Sequence, residues 1–470
     1  MRFLMLRRVL VPILSLVLAG AAGAALSAQP SGPITPAPAP ALSAPTYVLT
    51  GGGYGHGVGL NQYGALAQAK VNRDYRDILA FYYPGTELTK AAVAKVRVLL
   101  ADDRPSVKLA SAVPFSVRDG SGVVTELQPG EITVKPNLRV VVDGQPTRLP
   151  GPLAFVPTPG TLLQLDGKEY RGEIRLSVVS GALRVIDVLG LDAYLLGVVP
   201  GEVPKEWPAA ALQAQAVAAR SYALASIVKS KPFDLYSDTR SQVYYGVSAE
   251  APTTTAAVKA TRGQILSYAG KVATAFYYSS SGGRTASSED VFGVLTPYLQ
   301  ARDDPWDTLS PYHRWAPRSF TPATLGQAFR LSAPVVDVKV EPSESGRPLS
   351  VTLIKRTGAT VLLRAADVRA TLGLRSTAFK LGVLRGAGPT PSPRPAAPVI
   401  ISGVARDVTM PLLEKLGAKG TWLPAVNLKP GLDGAFIATV RPKLTATYRL
   451  VADGVVGPAL TITVPAEAVK

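Results

Sequence analysis

The hydrophobic positions of this 470-residue chain fall into distinct patterns along its length. From 91 to 190 they come in short β-branched runs: Val96 to Leu100, Ile132 to Val134, Arg139 to Val142 and Ile174 to Val179. Gly, Pro and Asp-Gly turns separate these runs, so the region reads as β-rich. At Trp207-Pro208 the period becomes helical and continues through AAALQAQAVAARSYALASIVKS. Leu212, Ala216, Ala219, Ala223 and Ile227 make one stripe of this helix, and Val217 and Leu224 lie on another. A helix apolar nearly all round is expected at the centre of a domain. Pro208 suits its first position, where a missing amide proton loses no partner. Beyond Val399, Tyr448, Leu450 and Val451, then Leu460, Ile462 and Val464, are split by Asp453-Gly454 and read as a hairpin. The expected fold class is α+β: a β-rich catalytic domain around a central buried helix, plus a small C-terminal β-sandwich of immunoglobulin type.

The chain also carries boundaries. Arg2, Arg7 and Arg8 precede the apolar run Val9 to Leu26, which closes in small residues around Ser27 and Ala28. That order predicts a signal peptide over 1–28, cleaved after Ala28. The competing reading is a membrane anchor, but the run holds Pro12 and a soft Ala/Gly end. No later stretch is long and apolar enough to span a bilayer, so no membrane span is expected after cleavage. The protein is expected to be exported, to the cell envelope, the periplasm or the medium. Residues 29–45 are a Pro/Ala-rich linker, and GAGPTPSPRPAAP at 386–398 is a second. They delimit a body over 46–385, with a Gly-His segment at 46–90, the β-rich region at 91–190 and a helix-centred region at 191–385. The sandwich follows at 399–470.

Composition narrows the chemistry. The chain is 47% hydrophobic and 18% charged, which excludes wholesale disorder. Cysteine is absent and the histidines are His56 and His313 alone, so thiol nucleophiles, disulfides, lipoprotein anchors and three-histidine metal sites are ruled out. A carboxylate or hydroxyl must act. The formal net charge of +17 favours an acidic partner, and in an exported protein an acidic wall polymer is expected rather than nucleic acid. The run GGGYGHGVGLNQYGA at 51–65 matches neither nucleotide-binding glycine pattern, and no nucleophile elbow or HExxH motif is present. SSSGGRT at 279–285 reads as a tight loop presenting hydroxyls and amides. Arg220, on a mostly buried helix, needs either a structural partner or an anionic ligand. Trp306 and Trp315 are expected to pack in the core.

Three segments together resemble the SpoIID/LytB family of sporulation and cell-wall proteins. They are LDAYLLGVVPGEVPKEWPAAALQAQAVAARSYAL at 191–224, YYSSSGGRTASSEDVFG at 277–293 with the following PYLQARDDPWD, and GYGHGVGLNQYGALAQA at 53–69. YRGEIRL at 170–176 and LGLRSTAFKL at 372–381 also fit. The Gly-His-Gly segment stands before the β-rich region here, whereas in the family it follows the LRSTxF segment. The chain therefore resembles a circular permutant, and residues 46–90 should dock beside the segment around Phe379.

The resemblance implies a lytic transglycosylase acting on peptidoglycan glycan strands, or a non-catalytic wall-binding protein that enhances an amidase. It implies Glu202 as the essential acid, with Glu206 a solvated residue at the helix start. Between Pro200-Gly201 and Pro204, Glu202 is expected in a rigid loop, its carboxyl raised toward neutrality by Val203 and Trp207. Substrate contacts are expected from His56, Asn61, Gln62, Tyr63, Arg220, Gln242, Ser280, Ser281 and Thr285; His56 could equally hold its loop by hydrogen bonds. Some members bind zinc in the segment matching FDLYSDTRSQVYYG at 233–246, but no Cys or His stands there, so neither metal nor cofactor is expected. Asp192 stands where a Glu is common.

Overall fold

The computed structural model describes residues 43–465 apart from 93, 143, 387–390 and 393. The expected signal peptide, almost all of the Pro/Ala linker and part of the second linker lie outside these residues. The described architecture is α+β.

The β-rich region forms a seven-stranded sheet ordered Leu235–Tyr236, Lys95–Arg104, Ala182–Gly190, Glu173–Val179, Leu153–Pro157, Phe115–Arg118 and Val124–Leu127. A four-stranded sheet shares one core with it, where Val98, Phe115, Val134, Phe155, Leu163 and Ile174 interdigitate. The strands expected from the β-branched runs are all present, and their alternation decides which side chains face this core.

The central helix runs Ala209–Ala225, with Pro208 as its N-cap just outside the first turn. It lies between two cores. Leu212, Ala216, Ala219 and Ala223 pack into the β-rich core, with Ile227 against it. Ala211, Ala214, Val217 and Ala218 pack on the opposite side against Val58, Leu60, Ile78, Leu79 and Tyr83 from the N-terminal segment. Leu224 joins the first core rather than the second. Small side chains allow both layers to approach this closely.

The strand Thr46–Gly51 pairs antiparallel with Phe379–Gly386, matching Tyr47 to Val383 and Gly51 to Phe379. The N-terminal segment thus docks where the permuted order requires. The same sheet continues into Val399–Arg406 and Ala435–Val440. A second, four-stranded sheet carries the expected hairpin, Ala446–Ala452 paired with Val455–Ile462, and buries Leu413, Tyr448, Leu450 and Ile462 against the first. One layer of this C-terminal unit is therefore built partly from body strands, so it is not a self-contained sandwich after a linker. Sequence cannot reveal this, since Phe379–Gly386 offers two edges and both are taken.

Candidate active site around Glu202

Glu202 closes the helix Leu191–Glu202 instead of sitting in a loop. Pro200 removes one amide donor in the last turn, and the chain turns extended at Val203. Two glycines on one face of this helix let another segment lie against it. A Cβ on Gly197 would stand 2.7 Å from the Tyr244 ring and 2.8 Å from the Gly246 carbonyl. One on Gly201 would stand 3.1 Å from the Val243 carbonyl. The close approach brings the Val243 amide to Glu202, where it donates to Oε1 at 2.8 Å.

The Tyr277 hydroxyl also stabilises the charged form of the Glu202 carboxylate. It is held in turn by Gln242, whose Nε2 donates to it at 3.0 Å and to the Ala219 carbonyl at 3.2 Å, while its Oε1 accepts from Tyr194 at 3.2 Å. Burial raises the pKa of Glu202 above the ordinary carboxylate value, and the Val243 amide and Tyr277 hydroxyl partly offset this by stabilising the anion. The negative end of its own helix dipole acts in the same direction as burial. Among the described residues no second carboxylate joins this network. Such an arrangement, one carboxyl of raised pKa in a fixed geometry, is chemically able to donate a proton.

Gln62 reaches the backbone of Glu202, and Tyr63 follows it in the chain. Gln62 Nε2 donates to the Glu202 carbonyl and to Gln215 Oε1, both at 3.3 Å. The Tyr63 ring lies 5.3 Å from Trp207, and Tyr312 and Tyr54 extend the series at 6.5 and 5.0 Å. The guanidinium of Arg375 stacks on Tyr312 at 4.7 Å. Tyr245 is 55% exposed beside Gly201. These part-exposed rings form a band suited to stacking on sugar faces. Sequence reading passed over Trp207, Tyr245 and Tyr277 in this role, although Trp207 stands five residues after Glu202.

The other expected contacts serve the fold. His56 accepts the Val58 amide on Nδ1 at 3.0 Å, and burial among Phe276, Tyr278 and Phe292 lowers its pKa to about 4. It is a neutral loop-holding residue. Asn61 is fully buried and donates to Asp304 at 2.7 Å and to Asp307 at 2.8 Å. Asp307 also accepts from the Ser280 hydroxyl, the Ser281 and Gly282 amides and the His313 ring. Ser280 and Ser281 are each 1% exposed, and Thr285 bonds the backbone of Arg302. Asp304 and Asp307, the anchors of this loop, were not read from the sequence; the Asp-Asp-Pro-Trp-Asp run beside a Ser-Gly loop was the signal. Gln242 is buried in the Tyr277 network. Arg220, 1% exposed, pairs with Asp192 at 2.8 Å and caps the Val258 and Gln264 carbonyls, so its partner is structural. Trp315 packs in the core as expected, with its indole N–H on the Gly53 carbonyl at 3.0 Å.

Comparison with known proteins gives the same picture of kinship. Residues 179–268 match the SpoIID family model, described as a stage II sporulation protein. An uncharacterized protein of Brachyspira hyodysenteriae is 38% identical over 160 residues, covering 32% of this chain and 44% of that protein. The amidase enhancer of Bacillus subtilis is 39% identical over 155 residues, covering 33% and 21% respectively. Stage II sporulation protein D of Bacillus subtilis is 30% identical over 226 residues, covering 44% and 64%. The chain therefore spans less than two thirds of each of these relatives. The region matching the family model contains Glu202, Gln242 and the central helix, and it is what this chain shares with the SpoIID family.

Proposed function

We propose that this protein, with a SpoIID domain at its centre, is an exported lytic transglycosylase that cuts peptidoglycan glycan strands, with Glu202 as general acid and base. The supporting observation is one carboxyl of raised pKa, held by the Val243 amide, its charged form stabilised by Tyr277, with the exposed Tyr245 ring beside the neighbouring Gly201. Ordinary glycosidases need two carboxylates, the second to attack the anomeric carbon or to activate water. A lytic transglycosylase needs one. Glu202 protonates the glycosidic oxygen as the C1–O bond breaks; the muramic C6 hydroxyl then forms the new bond to C1 and returns its proton to Glu202. The product carries a 1,6-anhydro ring and no water is consumed. Effective molarities of about 10⁵ M or more for a well-oriented intramolecular hydroxyl make a second carboxylate dispensable.

A second reading, a wall-binding protein that enhances an amidase, is favoured by the 39% identity to the Bacillus subtilis amidase enhancer. Purified sacculi separate the two. Glu202→Gln should lower release of anhydro-muropeptides by about 10²-fold or more. Equal release by variant and wild type would refute the enzyme reading, and absence of release by both, with a coincubated amidase accelerated, would favour the enhancer.

A further inference from the structure

A pocket of about 520 Å³ opens between the body and the C-terminal strands, away from the Glu202 network. Its walls include Gly51 and Gly52, the Gly282 turn, the Ser345–Arg347 turn, Lys380, and Thr409 with Asp453. The volume lies within the range of small-ligand sites. Four cations line it, Arg284, Arg314, Arg347 and Lys380, against one acid, Asp453. Asp453 is already bonded by the amide and hydroxyl of Thr409. Arg284 pairs only with Asp303, which is 84% exposed, and such a pair is weak and easily exchanged. Among the described residues Arg314, Arg347 and Lys380 make no ion pair.

Arg347 carries the argument. It is 4% exposed, yet its contacts are carbonyls of Ser281 and Arg284 at 3.2 and 3.1 Å and the Thr377 hydroxyl at 3.4 Å, with no carboxylate among them. Its Nε is buried and has no partner. A Cβ on Gly57 would lie 2.6 Å from its guanidinium, so the glycine-rich loop is shaped to admit this side chain. A guanidinium taken out of water without a contacting counter-charge is costly, and Asp290 and Asp307 act on Arg347 only from beyond hydrogen-bond distance. We infer that this pocket is an anion-binding site for a sugar or polyol bearing one carboxylate or phosphate, with Arg347 at its base and Arg284, Arg314 and Lys380 at its mouth. Planar guanidinium groups suit either oxyanion.

The inference does not rest on the catalytic reading of Glu202, and calorimetric titration of the whole protein tests it. The probes are N-acetylmuramic acid, glycerol phosphate and neutral N-acetylglucosamine. At least one anionic probe should bind, weaken with added salt and exceed N-acetylglucosamine by about tenfold. Binding of the sugar acid alone assigns a carboxylate site, and of glycerol phosphate alone a phosphate site. The surface double variant Arg314→Gln/Lys380→Gln, which gives up only the long 3.5 Å bond from Arg314 to the Gly282 carbonyl, should lose about tenfold in affinity. Glu202→Gln should bind like wild type whether or not it cleaves glycan. Equal binding of neutral and anionic probes, no binding of any probe, or unchanged affinity in the double variant overturns the inference.

Discussion

The carboxylate of Glu202 accepts a 2.8 Å hydrogen bond from the amide of Val243, a residue 41 positions further along the chain. This bond exists because Gly197 and Gly201 leave room for the 243–246 segment on the helix that Glu202 ends. Glu202 is thus oriented from outside its own helix, and its protonation is governed by groups that come from distant parts of the sequence.

The glycine contact can be filled. Gly197→Ala places a methyl group 2.7 Å from the Tyr244 ring and 2.8 Å from the Gly246 carbonyl, and a backbone atom cannot rotate away. A loss of about 1–3 kcal/mol is expected in denaturant unfolding. Glycan cleavage should fall further than stability alone explains, because the Val243 amide moves from Glu202. Unchanged cleavage in a folded G197A protein would separate the amide from the acid's function.

Tyr277 tunes the acid. Its hydroxyl stabilises the carboxylate and so lowers the Glu202 pKa against the larger effect of burial. Tyr277→Phe removes that stabilisation, and the pKa rises. The proposed reaction requires the protonated form for its first step, so the alkaline limb of the pH–rate profile should move to higher pH. A limb displaced to lower pH would contradict the assignment.

Asp307 holds the Ser279–Gly283 loop together. Asp307→Ala leaves the Ser280 hydroxyl, the Ser281 and Gly282 amides and an Asn61 donor without their shared acceptor. Removal of one member of a buried charged network costs about 3–5 kcal/mol. Thermal unfolding should show this loss, and Asp307→Asn, which keeps one acceptor oxygen, should lose less.

Two buried groups give stability opposite pH slopes. His56 has a pKa of about 4 in the fold against an ordinary 6.5, so the native state binds fewer protons than the unfolded chain between these values. Its contribution is complete above pH 6.5 and is lost as pH falls through 4. Asp187, buried with one carboxylate oxygen unpartnered and the other on the Tyr244 hydroxyl at 2.8 Å, has its pKa pushed up to about 7 from 3.8. Its contribution is complete below pH 3.8 and is lost as pH rises through 7. The wild type should therefore vary little between pH 4 and 7. His56→Gln should leave stability falling as pH rises across that window, and Asp187→Asn should leave it rising, each by a few kcal/mol at most in denaturant midpoints. Parallel slopes in both variants would remove either group as the cause.

The central helix and the strands of the β-rich region were legible because each shows its period within a few turns of local sequence. Glu202 was legible through the motif around it, and the docking of the N-terminal strand on Phe379–Gly386 through segment order. Most polar residues near the Gly-His and Ser-Gly loops, expected as ligand contacts, have their hydrogen bonds taken up inside the fold. Their types suit a binding site, yet Asn61, Ser280 and Ser281 satisfy Asp304 and Asp307 from another segment. Arg220 was ambiguous in the same way until Asp192 was seen beside it.

The chain's own sequence determined where apolar periodicity would build helix or strand, which chemistries were unavailable without thiols and with two imidazoles, and which acid stood in a recognisable setting. Tertiary structure alone decided which polar groups remain free. A donor or acceptor is committed by whatever the fold brings within about 3 Å of it, and such a partner can stand hundreds of residues away. The pairing of Asn61 with Asp304 and Asp307, and the burial of Arg347 without a carboxylate, are facts of that kind.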